Sequence, residues 1–365
     1  MFNIPQCLQK NSDFISDKVT DFTRKNSNPE GDVNFSEFAY LDAFETGFFM
    51  HKQTVLPFRI FLFSFVVFLF LVNLPLSAQK YHIKNYTIDD GLPGSLILDI
   101  NQDSDGVMWI ATFGGLTRYD GVTFTNFFTS HGLPVNGIRN LLFDQQKTLW
   151  LGTDVGITKF DGKSFKSFNA DSGVGKGIVW SSAYDQNGNY WFGTQDGGLT
   201  FYNGKTFRTF TTADGLPSNF IYHVFIDSKN RLWVGYRDKG FSIHKINADG
   251  NLLTSEFYGA SEKLPNLVIR AIAEDKNGNF YIGTRGGGLV ILSKGKLSFF
   301  NQNDGLTGND IYALTMTPKG DIAIGTYGAG IDFFTPHFSD QRIQLSNKKH
   351  IGKKNGLLMS RGKKH

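Results

Sequence analysis

Short hydrophobic runs separated by turn residues dominate the chain from about residue 80 to residue 335. Runs of four to six β-branched and aromatic residues are bounded by Gly, Asn and Asp, as around Ile138–Phe143. This alternation is typical of strands joined by tight turns. No segment of this region keeps apolar residues at the three-to-four-residue spacing of an amphipathic helix. The pattern therefore predicts an all-β fold.

The strand pattern recurs about every forty residues. Its clearest marks are Trp109, Trp150, Trp191 and Trp233, whose places are taken later by Tyr281 and Ala323, at spacings of 41, 41, 42, 48 and 42 residues. Each unit contains four short strands, A to D, and most units follow a turn of the type Asp-Gly-Leu-Pro, as at residues 214–217. Such units are typical of propeller blades. We expect a β-propeller of six four-stranded repeats.

Two ways of completing the ring stay open. Residues 81–88 resemble a strand D without its A to C, and residues 311–334 supply A to C without a clear D. Pairing the first strand with the last three would close a six-bladed ring and remove exposed sheet edges. The alternative is an incomplete seven-bladed ring.

An apolar stretch at residues 60–72 precedes the repeats and has the length of a signal-peptide core. Basic residues stand before it, and Leu76-Ser77-Ala78 offers a small-residue cleavage site. We interpret residues 50–78 as a signal peptide that begins at Met50, with 1–49 as an upstream or disordered extension. A signal-anchor that stays in the inner membrane, facing the periplasm, is the alternative. Both interpretations place the propeller, residues 79–335, in the periplasm.

Charge and cysteine content narrow the function classes. The formal net charge is +4, but residues 336–365 alone hold eight Lys or Arg and one Asp. We predict a basic, disordered tail there, and the rest of the chain then has no basic surface for nucleic acid. The only cysteine, Cys7, precedes the signal segment, so the exported part has no disulfide or thiolate metal site.

The repeat resembles the two-component regulator propeller repeat, which is found in periplasmic sensor regions of Bacteroidetes hybrid histidine kinases. The resemblance covers residues 81 to about 335 and rests on the following motifs: Asn136, Asn219 and Asn309 after the Gly-Leu turns, Gly152-Thr153 and Gly193-Thr194, and Tyr119-Asp120-Gly121. It implies detection of an extracytoplasmic ligand, often a glycan fragment. This chain lacks the kinase domain and the second membrane helix of that family's usual layout, so it would be a partial or kinase-less member with a membrane-bound histidine kinase or another propeller domain as its partner.

The most regular residues of the repeat have structural explanations. Tryptophans that recur at one strand position are expected to pack between neighbouring sheets. The turn aspartates, such as Asp185, offer too few nearby oxygens for calcium and are expected to accept hydrogen bonds within their own turns. The sequence contains no metal-spaced His cluster and no catalytic motif, so we predict no metal, no cofactor and no enzyme activity.

Residues that vary between repeats at one position are better candidates for recognition. Near the start of strand A, the innermost strand, the repeats carry Leu98, Arg139, Trp180, Tyr222, Arg270 and Tyr312. The turns between strands B and C add Asp154, Asp196, Arg237, Arg285 and Tyr327. We expect these side chains to surround the channel mouth on one face. Aromatic rings that stack on sugars and guanidinium groups that bind carboxylates suit a small ligand such as an oligosaccharide. The ligand-binding prediction names Arg139, Trp180, Tyr222, Arg270, Tyr312, Arg237, Arg285 and Tyr327.

Three function classes remain. A periplasmic ligand-binding sensor in two-component signalling is favoured by the repeat and by the variable face. A propeller enzyme of the lyase or glycosidase type is an alternative, because its residues would come from separate blades and leave no linear motif. A protein-protein interaction scaffold that uses the same face is the third.

Overall fold

The computed structural model describes residues 83–339 and 342–357. The predicted extension (1–49) and signal peptide (50–78) lie outside the described residues. Within them, 24 strands form six separate four-stranded antiparallel sheets, each built from consecutive strands. The predicted propeller of six four-stranded repeats is confirmed.

The first three sheets are regular meanders. Sheet 1 contains β1 (Ile97–Gln102), β2 (Met108–Thr112), β3 (Leu116–Tyr119) and β4 (Phe124–Phe127). Sheet 2 contains β5 (Ile138–Phe143), β6 (Leu149–Thr153), β7 (Gly156–Phe160) and β8 (Phe165–Phe168). Sheet 3 contains β9 (Val179–Tyr184), β10 (Tyr190–Thr194), β11 (Leu199–Tyr202) and β12 (Phe207–Phe210).

The next three sheets have the same strand order, with longer outer strands in sheets 4 and 6. Sheet 4 contains β13 (Ile221–Ile226), β14 (Arg231–Tyr236), β15 (Phe241–Ile246) and β16 (Leu252–Tyr258). Sheet 5 contains β17 (Ile269–Glu274), β18 (Phe280–Thr284), β19 (Leu289–Ser293) and β20 (Lys296–Phe300). Sheet 6 contains β21 (Ile311–Met316), β22 (Ile322–Thr326), β23 (Gly330–Phe338) and β24 (Ile343–Ile351). Single turns of 3₁₀ helix lie at Ile88–Asp90, Thr129–His131, Ala170–Ser172, Thr212–Asp214, Gln302–Asp304 and Lys353–Asn355.

The A strands of consecutive sheets pack against each other, from β1 and β5 through to β17 and β21. Among the described residues, β1 and β21 do not pack in this way, so the first and sixth sheets are not neighbours like the others. The side of sheet 1 that faces away from sheet 2 is less buried: Met108 and Ile110 are half-buried, whereas Leu149 and Leu151 at the same places in sheet 2 are buried. Of the two closures left open by the sequence, this arrangement favours the incomplete ring.

The recurring Trp and Asp residues form one structural unit in sheets 1 to 4. Trp191 is completely buried, and its Nε1 donates a hydrogen bond to Asp185 Oδ2 at 3.0 Å. The other oxygen, Oδ1, accepts the backbone N–H groups of Asn187 and Asn189, both at 2.9 Å. The same Trp-to-Asp bond is made by Trp109, Trp150 and Trp233. The prediction that these residues serve the core and the turn is confirmed.

The turns between strand D and the next strand A are fixed by the motif that marks each repeat. Gly215 ends its 3₁₀ turn at φ 93°, a left-handed conformation that favours glycine. Leu216 after it is buried. Asn219 then accepts the Thr212 backbone N–H through Oδ1 at 2.8 Å, closing the turn. This local closure delivers each strand A to the ring in the same orientation.

The sequence-based prediction of a disordered tail from residue 336 is wrong for residues 336–338 and 343–351. Residues 336–338 belong to β23, and β24 pairs with it as the outer strand of sheet 6. Ile343 and Leu345 pack against the buried core of that sheet, and the lysines around them hid this alternation. Residues 83–87 form no strand, so the proposed pairing of the first strand with the last three is also wrong where it can be described.

Across the described residues, no helix has the length and apolar character needed to cross a membrane.

Candidate functional site

The variable residues of strand A occupy its second position in every sheet, where the strand leaves the D-to-A turn. Backbone hydrogen bonds hold the B-to-C turn of the same sheet beside this point. The N–H groups of Arg237, Arg285 and Tyr327 donate to the carbonyl oxygens of Phe220, Val268 and Asp310, at 3.1, 3.0 and 2.9 Å. Residues distant in sequence are thereby brought to one face.

On that face the variable side chains form a continuous series of stacked aromatic and guanidinium groups, which we call the arc. The Arg139 guanidinium lies 4.3 Å from the Phe113 ring and 4.9 Å from the Trp180 ring. Trp180 meets Tyr222 edge-on, with ring centroids 5.3 Å apart. The series continues through Arg270 to the last sheet. The arc consists of Phe113, Arg139, Trp180, Tyr222, Arg270, Tyr312 and Tyr327.

Arg270 occupies the middle of the arc's second half. Its guanidinium lies 4.1 Å from the Tyr222 ring and 4.8 Å from the Tyr312 ring, so an aromatic side chain stands against it on each side. Tyr312 in turn stacks on Tyr327 at 5.6 Å. These contacts cross from sheet 4 to sheet 6, so the arc exists only when neighbouring sheets are assembled.

Three polar atoms at the arc lack hydrogen-bond partners although they are buried. They are Trp180 Nε1, Arg270 Nε and Asp310 Oδ1; the fourth such atom in the described part of the chain, Gln102 Oε1, belongs to sheet 1. Buried polar groups in native proteins are nearly always paired. Three of the four unpaired buried side-chain atoms of the described residues therefore lie at this one face.

The charges of the arc are distributed unevenly. Arg139 forms an ion pair with Asp154. Asp310 lies within the electrostatic influence of Arg270 and Arg285; burial raises the pKa of the Asp310 carboxyl, and the two guanidinium groups oppose that rise. Beside the second half of the arc, Arg270 and Arg285 thus act on the half-buried Asp310.

The structure brings most of the predicted residues together. Six of the eight predicted residues are members of the arc. Of the other two, Arg237 stacks on Phe220, which contacts Tyr222. Arg285 lowers the pKa of the Asp310 carboxyl through its charge. Leu98 occupies the equivalent strand position in sheet 1. Sequence reasoning missed Phe113, Phe220 and Asp310. The same comparison between repeats finds Phe220 and Asp310 one position before strand A, and Phe113 at the place of Asp154.

A second feature, a cavity of about 380 Å³, runs along the later positions of all six A strands. Its buried polar groups satisfy one another. Asp99 accepts hydrogen bonds from the backbone N–H groups of Ile100 and Leu141 at 2.9 and 2.8 Å and from Asn140 Nδ2 at 3.1 Å, and Ser182 donates to Asn140. Burial raises the pKa of Asp99 to about 8 and lowers the pKa of His223 to about 4. Because these groups already have partners, the arc is the stronger candidate for recognition.

Within the described ranges, no group of three or more His, Cys, Asp or Glu side chains is arranged to hold a metal ion.

Comparison with known proteins gives a family match and several similar structures. A family model described as the two component regulator propeller matches residues 91–114, 132–155, 215–238 and 263–286. Each matched segment contains a D-to-A turn, a strand A and a strand B. The matched segments belong to sheets 1, 2, 4 and 5 and contain Phe113, Arg139, Tyr222 and Arg270 of the arc. The other three arc residues, Trp180, Tyr312 and Tyr327, lie in sheets 3 and 6, outside the matched segments.

A curated relative is Histidine kinase P4 of Formosa agariphila, 40% identical over 63 residues, which are 17% of this chain and 5% of the kinase. A solved structure, the extracellular domain of a hybrid two component system from B. thetaiotaomicron, is 25% identical with a TM-score of 0.60 and covers 69% of this chain. The chain spans only 34% of that domain.

Virginiamycin B lyase from Staphylococcus aureus shares the fold. It is 15% identical, with a TM-score of 0.54 over 70% of this chain and 84% of the lyase. At this identity the similarity concerns the fold alone.

Proposed function

Because the chain carries two component regulator propeller repeats, we propose that its propeller is the ligand-binding part of a sensor in two-component signalling. The ligand is a small extracytoplasmic molecule, such as an oligosaccharide fragment, and the arc is its binding surface. The propeller acts by recognition without turnover.

The observation that carries this proposal is the set of unpartnered buried atoms at the arc, Trp180 Nε1, Arg270 Nε and Asp310 Oδ1. A ligand that supplies the missing partners would remove the desolvation cost of each atom, about 1–3 kcal/mol. Phe113 and Tyr327, at the two ends of the arc, are exposed, so their rings can stack on the apolar faces of a sugar whose hydroxyl edges pair with polar groups.

Similarity to an extracellular domain and to a histidine kinase supports the setting of the proposal. In that setting the propeller lies in the periplasm, exported by the signal peptide or held at the inner membrane. A membrane-bound histidine kinase or another propeller domain is the partner that carries the signal onward.

Isothermal titration calorimetry of the purified full chain against a panel of neutral and acidic oligosaccharides tests the proposal. We expect saturable binding of at least one member, weakened about tenfold or more by Tyr222→Ala, because the ring forms part of the arc. Phe257→Ala is the control: Phe257 is an exposed aromatic residue on the outer strand β16.

Three results would count against the proposal. A cooperatively folded chain that binds no member of the panel would favour a protein-protein scaffold. Release of a product from a bound oligosaccharide would favour a propeller enzyme. Equal losses of affinity in Tyr222→Ala and Phe257→Ala would indicate that the ligand does not bind at the arc.

A further inference from the structure

The two arginines of the arc stand in different electrostatic situations. Arg139 is paired with Asp154, so its charge is already balanced inside the protein. Its side chain is only 10% exposed. A ligand that approached Arg139 would have to compete with a carboxylate that is already in place.

Arg270 has no such partner. It forms no ion pair among the described residues, and its Nε is buried without a hydrogen bond. Tyr222 and Tyr312 stand against the guanidinium at 4.1 and 4.8 Å. A guanidinium donates its hydrogen bonds in its own plane, and its edge matches the two oxygens of a carboxylate.

The neighbouring charges leave this half of the arc positive. Arg285 and Arg270 both oppose the rise in the pKa of the Asp310 carboxyl that burial causes. Arg237, which stacks on Phe220 at 4.6 Å, also forms no ion pair within the described ranges. Arg270 is half-buried whereas Arg237 and Arg285 are exposed, and a guanidinium in a partly buried setting attracts anions more strongly than an exposed one does.

Asp310 adds a requirement of a different kind. Its Oδ1 is buried and accepts no hydrogen bond. A ligand group that donates, such as a hydroxyl, would satisfy this oxygen while an anionic group bound Arg270. The cluster therefore suits a carboxylate carried next to hydroxyl groups.

We infer that Arg270, Arg285 and Asp310 form a subsite for a carboxylate-bearing sugar, so that the ligand of the arc is an acidic oligosaccharide. This inference rests on the proposed function and adds the chemical class of the ligand. Arg270 binds the carboxylate edge-on, Tyr222 and Tyr312 contact its guanidinium group, and Asp310 accepts a neighbouring hydroxyl.

Calorimetric titration of the full chain with two matched probes tests the inference. One probe is an oligogalacturonate, and the other is its fully methyl-esterified form, which keeps the sugar rings and removes the charge. We expect the acid to bind at least about tenfold more tightly than the ester, with an affinity that falls as salt is added.

Arginine variants locate the subsite. Arg270→Gln is expected to abolish the preference for the acid, and Arg270→Lys to retain part of it, because lysine keeps the charge and loses the planar fork. The matched control is Arg118→Gln combined with Asp120→Asn, an exposed ion pair of sheet 1 outside the arc, which leaves the net charge unchanged and should leave the preference intact. Denaturation midpoints of all variants show whether each is folded.

The outcomes separate this inference from the proposed function. Equal binding of acid and ester, or loss of the preference in the Arg118/Asp120 control but not in Arg270→Gln, overturns the acidic subsite and leaves ligand binding in place. Absence of acid binding at millimolar concentration, with a neutral member of the oligosaccharide panel bound, overturns it in the same way. Absence of binding by every probe overturns both.

Discussion

Replacing one glycine of strand B in two different sheets tests whether the ring is open. Gly283 and Gly325 occupy the same place in sheets 5 and 6. A methyl group on Gly283 would lie 2.6 Å from Ile311 Cγ2 and 3.2 Å from Ile311 Cβ, because sheet 6 packs directly on it. At Gly325 the nearest atom is Ala313 Cβ at 3.3 Å, which belongs to the same sheet.

The magnitude follows from these distances. Carbon atoms pack at about 3.5–4.0 Å, so Gly283→Ala forces sheets 5 and 6 apart and should cost about 1–3 kcal/mol. Sheet 1 carries the buried Ala111 at this position, which shows that two sheets can pack around a methyl group there. The expected cost of Gly283→Ala is therefore that of overpacking and not of a strained backbone. Among the described residues Gly325→Ala meets only its own sheet, with Ala313 Cβ at 3.3 Å, and the lower entropy of the unfolded chain offsets this contact, so the stability should stay within about 1 kcal/mol of the parent chain.

Urea unfolding followed by tryptophan fluorescence, with the m-value compared between variants, measures both effects. Gly283→Ala should lower the midpoint and Gly325→Ala should not. If both variants lost the same stability, sheet 6 would be packed against another sheet in solution and the open ring would be refuted. If neither lost stability, the steric argument itself would be wrong.

The remaining predictions concern the core, acid stability and the last strand. Asp185→Ala should lower the free energy of unfolding in urea by about 2–4 kcal/mol, because it leaves the buried Nε1 of Trp191 unpaired. The control Asp161→Ala, in an exposed turn, should cost less than about 1 kcal/mol. Similar values for the two variants would contradict the role of the Trp–Asp bond. Burial lowers the pKa of His223 to about 4, so as pH falls below about 6.5 the unfolded state binds a proton before the folded state does, and the free energy of unfolding falls. His223→Gln should therefore remove about 2–3 kcal/mol of the stability that the parent chain loses between pH 7 and 4.5. Urea unfolding at several pH values measures this, and an unchanged pH profile would refute the assignment. Leu345→Ser should destabilise the propeller by about 1–2 kcal/mol in thermal or urea unfolding, since its side chain packs on sheet 6, and no effect would indicate that β24 does not form in solution.

Features set by contacts within one repeat could be predicted from the sequence. The bond from Trp191 to Asp185 spans six residues, and the turn closed by Asn219 and Thr212 spans seven. Such contacts depend on local chain geometry and recur with the repeat, so the strand count, the buried tryptophans and the structural role of the turn aspartates follow from the pattern alone.

The last strand could not be predicted, and the reason is its composition. Ile343 and Leu345 are the only strongly apolar residues at the start of β24, and lysines follow them. An edge strand needs only one apolar side, and pairing with β23 supplies its backbone hydrogen bonds. What decides that this segment is a strand is the open edge of β23, which the local sequence does not contain.

The candidate site divides in the same way. The sequence by itself determined which residues vary at the second position of strand A, and therefore named Arg139 and Arg270 as equivalent candidates. Only the tertiary structure decided that they differ, because Arg139 reaches Asp154 whereas Arg270 lies between Tyr222 and Tyr312 from the two adjacent sheets. The repeat sequence fixes the position of a side chain within its own sheet. Whether the charge of that side chain is paired depends on the residues that the neighbouring turns and sheets place beside it.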